Sequence, residues 1–363
     1  MLKEELGSRI QEALREKYGK DSDPVIINRV EEEKKAIERT NSATDFVSFI
    51  NIINWVKEKK NPYWAAGASG SSFILYLLGI TRGNPLPPHL YCPKCKKTYF
   101  GVLSGDGFDR FCIKDPKIEC CNNCGNELIG DGHDIPWQVL WGYGDREISF
   151  SVRIPAVLKE ALKKKINDLW AGESNVTAQA GLADDVEHFG NIEIDYMTGN
   201  LPEKINEHYL DKAEIQGSID HWKDILEVDH EEKLDVTAPE DFEDLIYDFG
   251  HLHSTGPWNK KTKFLCAEFG YRPAAIPAFR DDVFKYYLRH HKDEETAWKI
   301  MESVRKGRGV PVEEGAPDDK NSPDQWEEYV FDNMIKYLFP KAHAVEYILY
   351  CILLLGDKIT GDV

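Results

Sequence analysis

Along the first sixty residues, apolar positions recur every three or four places, as on one face of a helix. Leu2 to Tyr18 is amphipathic, Asp23-Pro24 starts a second segment through Ile37, and Ser42 with Asp45 three residues on resembles a cap before FVSFINIINWVKEK. A small-residue loop, Ala65-Ala-Gly67-Ala-Ser69-Gly70-Ser71-Ser72, then feeds the apolar helix FILYLLGI. Glu147 to Ile154 is strand-like, a Lys-rich helix follows from Pro155 to Trp170, and Ile192-Glu193-Ile194-Asp195-Tyr196 alternates as a strand does. Asn200 to Glu240 is acidic and polar and reads as a loosely packed connection with one or two helices. From Pro239 onward the pattern is helical, with turns at Gly256-Pro257, Arg272-Pro273 and Gly307-Arg308-Gly309 and an exposed loop from Gly315 to Pro323.

A chain of 363 residues is long enough for two or three domains. Its composition, 42% hydrophobic and 30% charged, excludes general disorder. Charge narrows the picture further: 45 basic against 63 acidic residues leave −18. That balance disfavours a whole-surface affinity for nucleic acid or anionic membrane, while permitting a small basic patch. The most apolar run, Ala344 to Leu355, is interrupted by Glu346 and falls short of the ~20 residues that cross a bilayer, so it reads as a buried core helix. The N-terminal MLKEELGSRIQEAL carries no apolar core of a signal peptide. A soluble, cytoplasmic protein is the expectation.

Six of the eight cysteines lie between Cys92 and Cys124, while Cys266 and Cys351 stand alone. Cys92-Pro-Lys-Cys95 and Cys121-Asn-Asn-Cys124-Gly are tight pairs with turn residues, and each places two thiolates at one hairpin tip. Two such tips facing each other form the tetrahedral sulfur cage that zinc prefers. Zinc at Cys92, Cys95, Cys121 and Cys124 would be structural, because four thiolates fill the shell. Two unrelated pairs of reduced thiols are the plainer alternative. Cys120 beside Cys121 leaves the register of the second tip open by one residue, and Cys112 is a spare.

The loop at Gly67, Ser69, Gly70, Ser71 and Ser72 precedes a helix, where backbone N–H groups can meet an anion. It lacks the Lys or Arg that normally stands beside bound phosphates, and tight packing is the competing role.

Several strings, in this order, resemble the PolC-type alpha subunit of bacterial DNA polymerase III. They are Gly70-Ser-Ser-Phe73 with Leu78-Gly-Ile-Thr81, Gly83-Asn-Pro-Leu-Pro-Pro-His89 directly before Tyr91-Cys-Pro-Lys-Cys95, Asp131-Gly-His-Asp-Ile-Pro136, and Gly144-Asp145. The C-terminal part adds Arg280-Asp-Asp282, Lys299-Ile-Met-Glu-Ser-Val-Arg-Lys306 and Phe339-Pro-Lys-Ala-His343-Ala344, with weaker likeness at Asn175-Val and Phe242-Glu-Asp-Leu245. The resemblance implies an α+β, mostly helical chain: a partial polymerase-beta-like palm, an inserted zinc ribbon and a helical fingers-like C-terminal domain. The corresponding boundaries are 1–90 for the helical N-terminal part of the palm-like domain with its Gly/Ser loop, 91–136 for the cysteine module, 137–238 for a reduced palm-like region with the acidic connection, and 239–363 for the fingers-like domain.

In that family the palm's acidic residues hold two metal ions that activate the primer 3′-hydroxyl and stabilise the leaving pyrophosphate. The paired aspartates belong a few residues after Gly144-Asp145, yet this chain reads Ser149 and Ser151 there; a one-residue slip gives Phe150 and Val152. The Arg of the family's triphosphate loop is matched by Ala66, and the stretch from Ala180 to Asp241 is too short for the rest of the palm. Arg280, Arg305, Lys306, Arg308, Lys341 and His343 persist and are the candidate nucleotide or DNA contacts, snorkelling surface cations being the alternative. The resulting expectation is a non-polymerising binding or regulatory factor in DNA replication, engaging replication proteins or a full-length polymerase's partners, with weak nucleic-acid or nucleotide binding, structural zinc and no magnesium. The enzyme alternative is a minimal metal-dependent nucleotidyltransferase using Glu193 and Asp195; Asp145 and Glu147 share that spacing.

Overall fold

The computed structural model describes residues 2–112, 119–144, 147–169, 179–180, 186–198, 201–202, 204–205, 207–226, 238–256, 270–290, 292–311 and 334–360. Asp145, Asn175, Cys266 and the Gly315 to Pro323 loop lie outside them, as does part of the acidic connection. The chain divides into two compact units, Met1–Gly217 with Val345–Val363, and Ser218–Ala344. About half of the described residues are helical, so the class is α+β with less helix than the sequence pattern suggests.

The first unit starts with α1 (Leu2–Tyr18), α2 (Pro24–Arg39) and α3 (Ala43–Glu58). Asp23 caps α2 by accepting the Val25 N–H, and Pro24 suits the first helical position, where no donor is needed. Short strand β1 (Trp64–Ala66) leads through the Gly/Ser loop into α4 (Phe73–Leu77). After the cysteine module come α6 (Gln138–Trp141), β5 (Phe150–Pro155) and α7 (Lys159–Leu169). Strands β6 (Gln179–Ala180), β7 (Val186–Phe189) and β8 (Ile192–Met197) complete a five-stranded sheet of order β1-β5-β8-β7-β6, in which only β5 and β8 run parallel.

Side-chain alternation gives this sheet two unlike faces. Phe150, Val152, Ile154, Ile192, Ile194 and Tyr196 are buried among the helices; Phe46 and Phe49 of α3 and Trp141 of α6 pack on Phe150 at centroid separations of 5.7, 5.2 and 5.9 Å. The intervening positions, Ser151, Arg153, Glu193 and Asp195, stand together on the opposite face. Register fixes their pairing: Ser151 lies between Ala66 and Glu193, and Arg153 between Trp64 and Asp195.

The cysteine module is a small antiparallel sheet of order β3-β2-β4, built from β2 (His89–Tyr91), β3 (Thr98–Phe100) and β4 (Ile129–Asp131), with α5 (Asp109–Cys112) between β3 and β4. Its core is minimal: Leu90, Cys92, Cys121 and Leu128, with Cys95, Tyr99, Leu103 and Cys124 packed against them. So few apolar groups make a cross-link among the cysteines the natural source of local stability.

Helices α8 (Lys212–Asp220) and α9 (Trp222–Leu226) precede α10 (Phe242–His253), α11 (Arg280–Arg289) and α12 (Glu294–Arg305). In the second unit Phe279 and Phe339 form an isolated bridge with their rings edge-on, and Tyr247 and Phe249 add edge-on contacts to Phe279 and Phe339 respectively. The last long helix, α13 (Lys341–Leu355), is the apolar run of the sequence, and α14 (Asp357–Thr360) follows it. Among the described residues no helix is long and apolar enough to cross a membrane.

Candidate metal centre and the polar face of the sheet

The two cysteine tips are built alike. Cys92 N–H donates to Lys97 O and Lys96 N–H to Cys92 O, at 2.8 and 2.9 Å; Cys121 N–H donates to Asn126 O and Gly125 N–H to Cys121 O, both at 2.8 Å. The residue after each second cysteine takes a left-handed backbone, Lys96 at φ 63° and Gly125 at φ 68°. Glycine enters that region without strain, whereas Lys96 bears the cost of a Cβ. This equivalence settles the register: Cys121 corresponds to Cys92, and Cys120 is exposed outside the cluster.

One sulfur from each of Cys92, Cys95, Cys121 and Cys124 lies within 4.8 Å of the others. Cys92 and Cys124 approach to 3.5 Å and Cys95 and Cys121 to 3.3 Å, far beyond a disulfide bond and close to the ~3.8 Å edge of a tetrahedron with ~2.3 Å zinc–sulfur bonds. The donor set is all thiolate and closed, the chemistry of a structural zinc site. Tyr99 contributes a hydroxyl 3.4 Å from the Cys121 sulfur, and that hydrogen bond pulls the thiol down to about 6. No other group of three or more metal-ligating side chains converges among the described residues.

The Gly/Ser loop is clamped from both sides. Ser69 Oγ accepts the Ser151 N–H at 2.8 Å and donates to Ser151 O at 3.2 Å, pinning the loop to β5. Gly67 has φ +60°, and a Cβ there would stand 3.6 Å from Ser151 Oγ. Ser69, Gly70, Ser71 and Ser72 are buried. At the start of α4, where the sequence suggests a place for an external anion, the anion is the protein's own Glu33. Its carboxylate accepts from Ser72 Oγ at 2.7 Å, Phe73 N–H at 2.8 Å and Ile74 N–H at 3.2 Å. Arg29, one helical turn earlier, pairs with Glu33 at 2.6 Å and donates to the carbonyls of Ser71 and Ile135. The sequence hints only that Glu33 is buried, since it interrupts the apolar stripe of Ile26, Val30 and Ile37 on α2.

On the polar face, Ser149 is exposed just before β5 and Ser151 is half-buried within it. Arg153 binds Asp195 at 2.7 Å and lies over the Trp64 ring, with 5.0 Å between guanidinium carbon and centroid. Glu193 is cross-strand from His188 at 3.9 Å. The structure therefore brings Ser151, Glu193 and Asp195 onto one face, beside the Gly/Ser loop, and adds a guanidinium to it.

The candidate nucleotide- or DNA-contacting cations all belong to the second unit, but few face water. Arg280 and Lys341 are buried; the Lys341 N–H donates to Asp281 at 3.1 Å and its ammonium stands 5.8 Å from the Tyr247 centroid. His343 packs against Phe339 at 5.2 Å. Arg305 is half-buried and paired with Glu302, while Lys306 and Arg308 are exposed at the turn after α12.

Comparison with known proteins places these features in a family context. The family model described as "Bacterial DNA polymerase III alpha NTPase domain" matches residues 4–120, which include the Gly/Ser loop and the first cysteine tip. Proteins described as DNA polymerase III PolC-type are similar along nearly the whole chain. The one from Caldanaerobacter subterraneus subsp. tengcongensis is 25% identical, with 95% of this chain and 32% of the relative aligned. Those from Clostridium perfringens and Bacillus cereus are 25% and 24% identical over 94% of this chain. The chain is thus a distant relative of the PolC-type DNA polymerase III. It spans about a third of the length of these relatives, and the first alignment runs to 458 positions, more than the 363 residues present here. The relatives therefore carry residues within the aligned stretch that this chain lacks.

Proposed function

We propose that the chain is a PolC-like protein that does not polymerise DNA and acts as a binding or regulatory factor in replication, with a structural zinc in its cysteine module. The observation that carries the reading is the pair Arg153–Asp195 on the polar face of the sheet. Two-metal phosphoryl transfer needs anionic oxygen ligands converging on one point. Here the positions that the resemblance assigns to the paired aspartates are hydroxyls, and of the two carboxylates in register with β5, Asp195 is already neutralised by the Arg153 guanidinium at 2.7 Å, which leaves Glu193 beside Ser151. A fixed cation beside the site also repels a divalent ion. The internal carboxylate of Glu33 at the start of α4 supports the same reading, because those N–H groups are taken.

Lys306 and Arg308 are the exposed candidates for a phosphate backbone, and the net charge of −18 limits such binding to weak, salt-sensitive contacts. Replication proteins that meet the full polymerase are the proposed partners, on the family relationship alone. The rival enzyme would use Glu193, which stands directly beside Ser151, together with Asp195.

Primer extension at high protein concentration separates the two readings. No incorporation is expected with magnesium or manganese. Extension by the wild-type chain that disappears in the Glu193→Gln/Asp195→Asn variant would replace the binding factor with the enzyme.

A further inference from the structure

The four cysteines do not explain why one of their sulfurs also receives a phenolic hydroxyl. Tyr99 sits on β3 opposite Leu90 of β2, and the pair share the face that packs on the cysteine cluster. The first cysteine tip follows β2 and ends where β3 begins, so the hairpin that positions Cys92 and Cys95 also carries the Tyr99 ring across to the second tip. There its hydroxyl lies 3.4 Å from Cys121 Sγ. A cysteine ligating a metal as thiolate has no hydrogen to give, so in that state the phenol is the donor.

We infer that Tyr99 is a positioning residue for the metal centre, donating an O–H···S bond that holds the Cys121 thiolate in place and links the two cysteine tips independently of the metal. The inference rests on the zinc reading of the four cysteines. Four thiolates around a divalent ion leave two excess negative charges in a small core. A hydroxyl donor withdraws charge from one sulfur, making it harder to protonate and slower to leave. Partners of metal ligands commonly contribute 10–100-fold in metal affinity. The other three cysteines receive no side-chain hydroxyl among the described contacts; Cys95 N–H reaches Cys92 Sγ at 3.5 Å. Cys121 is therefore the ligand whose departure is specifically guarded.

The test uses the full chain, zinc-loaded and cobalt-substituted, as wild type, Tyr99→Phe and Tyr99→Leu. Phe keeps the ring and removes only the hydroxyl, whereas Leu removes both, and circular dichroism verifies that each variant is folded. Tyr99→Phe is expected to lose zinc to a competing chelator about 10-fold faster or more. Its cobalt protein should show the sulfur-to-metal charge-transfer band moved to longer wavelength, because a thiolate without its hydrogen bond gives up an electron more easily. Leu should match Phe in both readouts. A Phe variant with wild-type zinc retention and an unmoved band, whether or not Leu is impaired, would overturn the inference and leave Tyr99 as packing. If the wild-type chain binds neither zinc nor cobalt, the zinc reading itself fails, and the role of Tyr99 falls with it.

Discussion

Replacing Glu33 by Ala should unfold the first unit at a markedly lower temperature, and the structure indicates how much. The substitution removes the carboxylate that accepts from Ser72 Oγ, Phe73 N–H and Ile74 N–H, and it leaves Arg29, nine-tenths buried, without its counter-charge. Breaking a buried ion pair by deleting one partner costs about 3–5 kcal/mol, because the surviving charge stays desolvated. At roughly 2–4 °C per kcal/mol for a domain of this size, the midpoint should fall by about 10 °C. Scanning calorimetry of the full chain measures it, read at the first transition. The double variant Arg29→Met/Glu33→Leu is the sharper arm: with both charges gone, only the lost cap of α4 should remain, about 1–2 kcal/mol. The double variant should therefore be more stable than Glu33→Ala alone. If Glu33→Ala melts within about 2 °C of wild type, or if the double variant is the worse of the two, the loop is not held by this pair and the reasoning is wrong.

Other outcomes follow from named groups. Metal analysis of protein purified without chelator should find about one zinc per chain, and Cys95→Ser should lose it together with the fold of the cysteine module; a metal-free, fully folded wild type would contradict the site. Asp248 of α10 is fully buried, neither carboxylate oxygen has a hydrogen-bond partner among the described residues, and burial, with Asp244 adding repulsion, pushes it up to about 8. Because the folded state holds this proton more tightly than the unfolded chain, stability should fall as pH rises from about 4 to about 8, at up to ~1.4 kcal/mol per pH unit. Denaturant titrations of Asp248→Asn should show a flatter profile over that window, and an unchanged profile counts against the assignment. For nucleic acid, Lys306→Ala/Arg308→Ala should weaken whatever single-strand or duplex binding occurs irrespective of sequence and lower its salt slope by up to ~2. Nanomolar binding that survives high salt would not fit.

Much of this molecule was legible without coordinates, for local reasons. The amphipathic period of α1 to α3, the Asp23-Pro24 start of α2 and the two-residue alternation of β8 report chemistry between neighbours in sequence, which propensity and burial patterns capture. The cysteine tips were equally visible, since a C-x-x-C turn is a local geometry and four thiols in two such turns admit few arrangements. Local pattern also overstated the helix content, because the short strands β1, β2 and β4 are three residues each and carry no periodicity of their own.

Tertiary structure decided which of those groups meet. Nothing in the string says that Glu33, forty residues before the N–H it caps, occupies the start of α4. The pairing of Arg153 with Asp195 depends on the parallel register of β5 and β8, and a slip of one strand by one residue would have turned one of the two side chains into the core. The choice of Cys121 over Cys120 follows from the turn hydrogen bonds of the second tip, and the hydroxyl of Tyr99 on its sulfur from how β3 lies against that tip. Composition and period determine which faces are apolar and which residues can bind a metal; only the packing of distant segments determines whether a charge at the site is free for a ligand or already satisfied from within, because that depends on distances of a few ångströms between residues far apart in the chain.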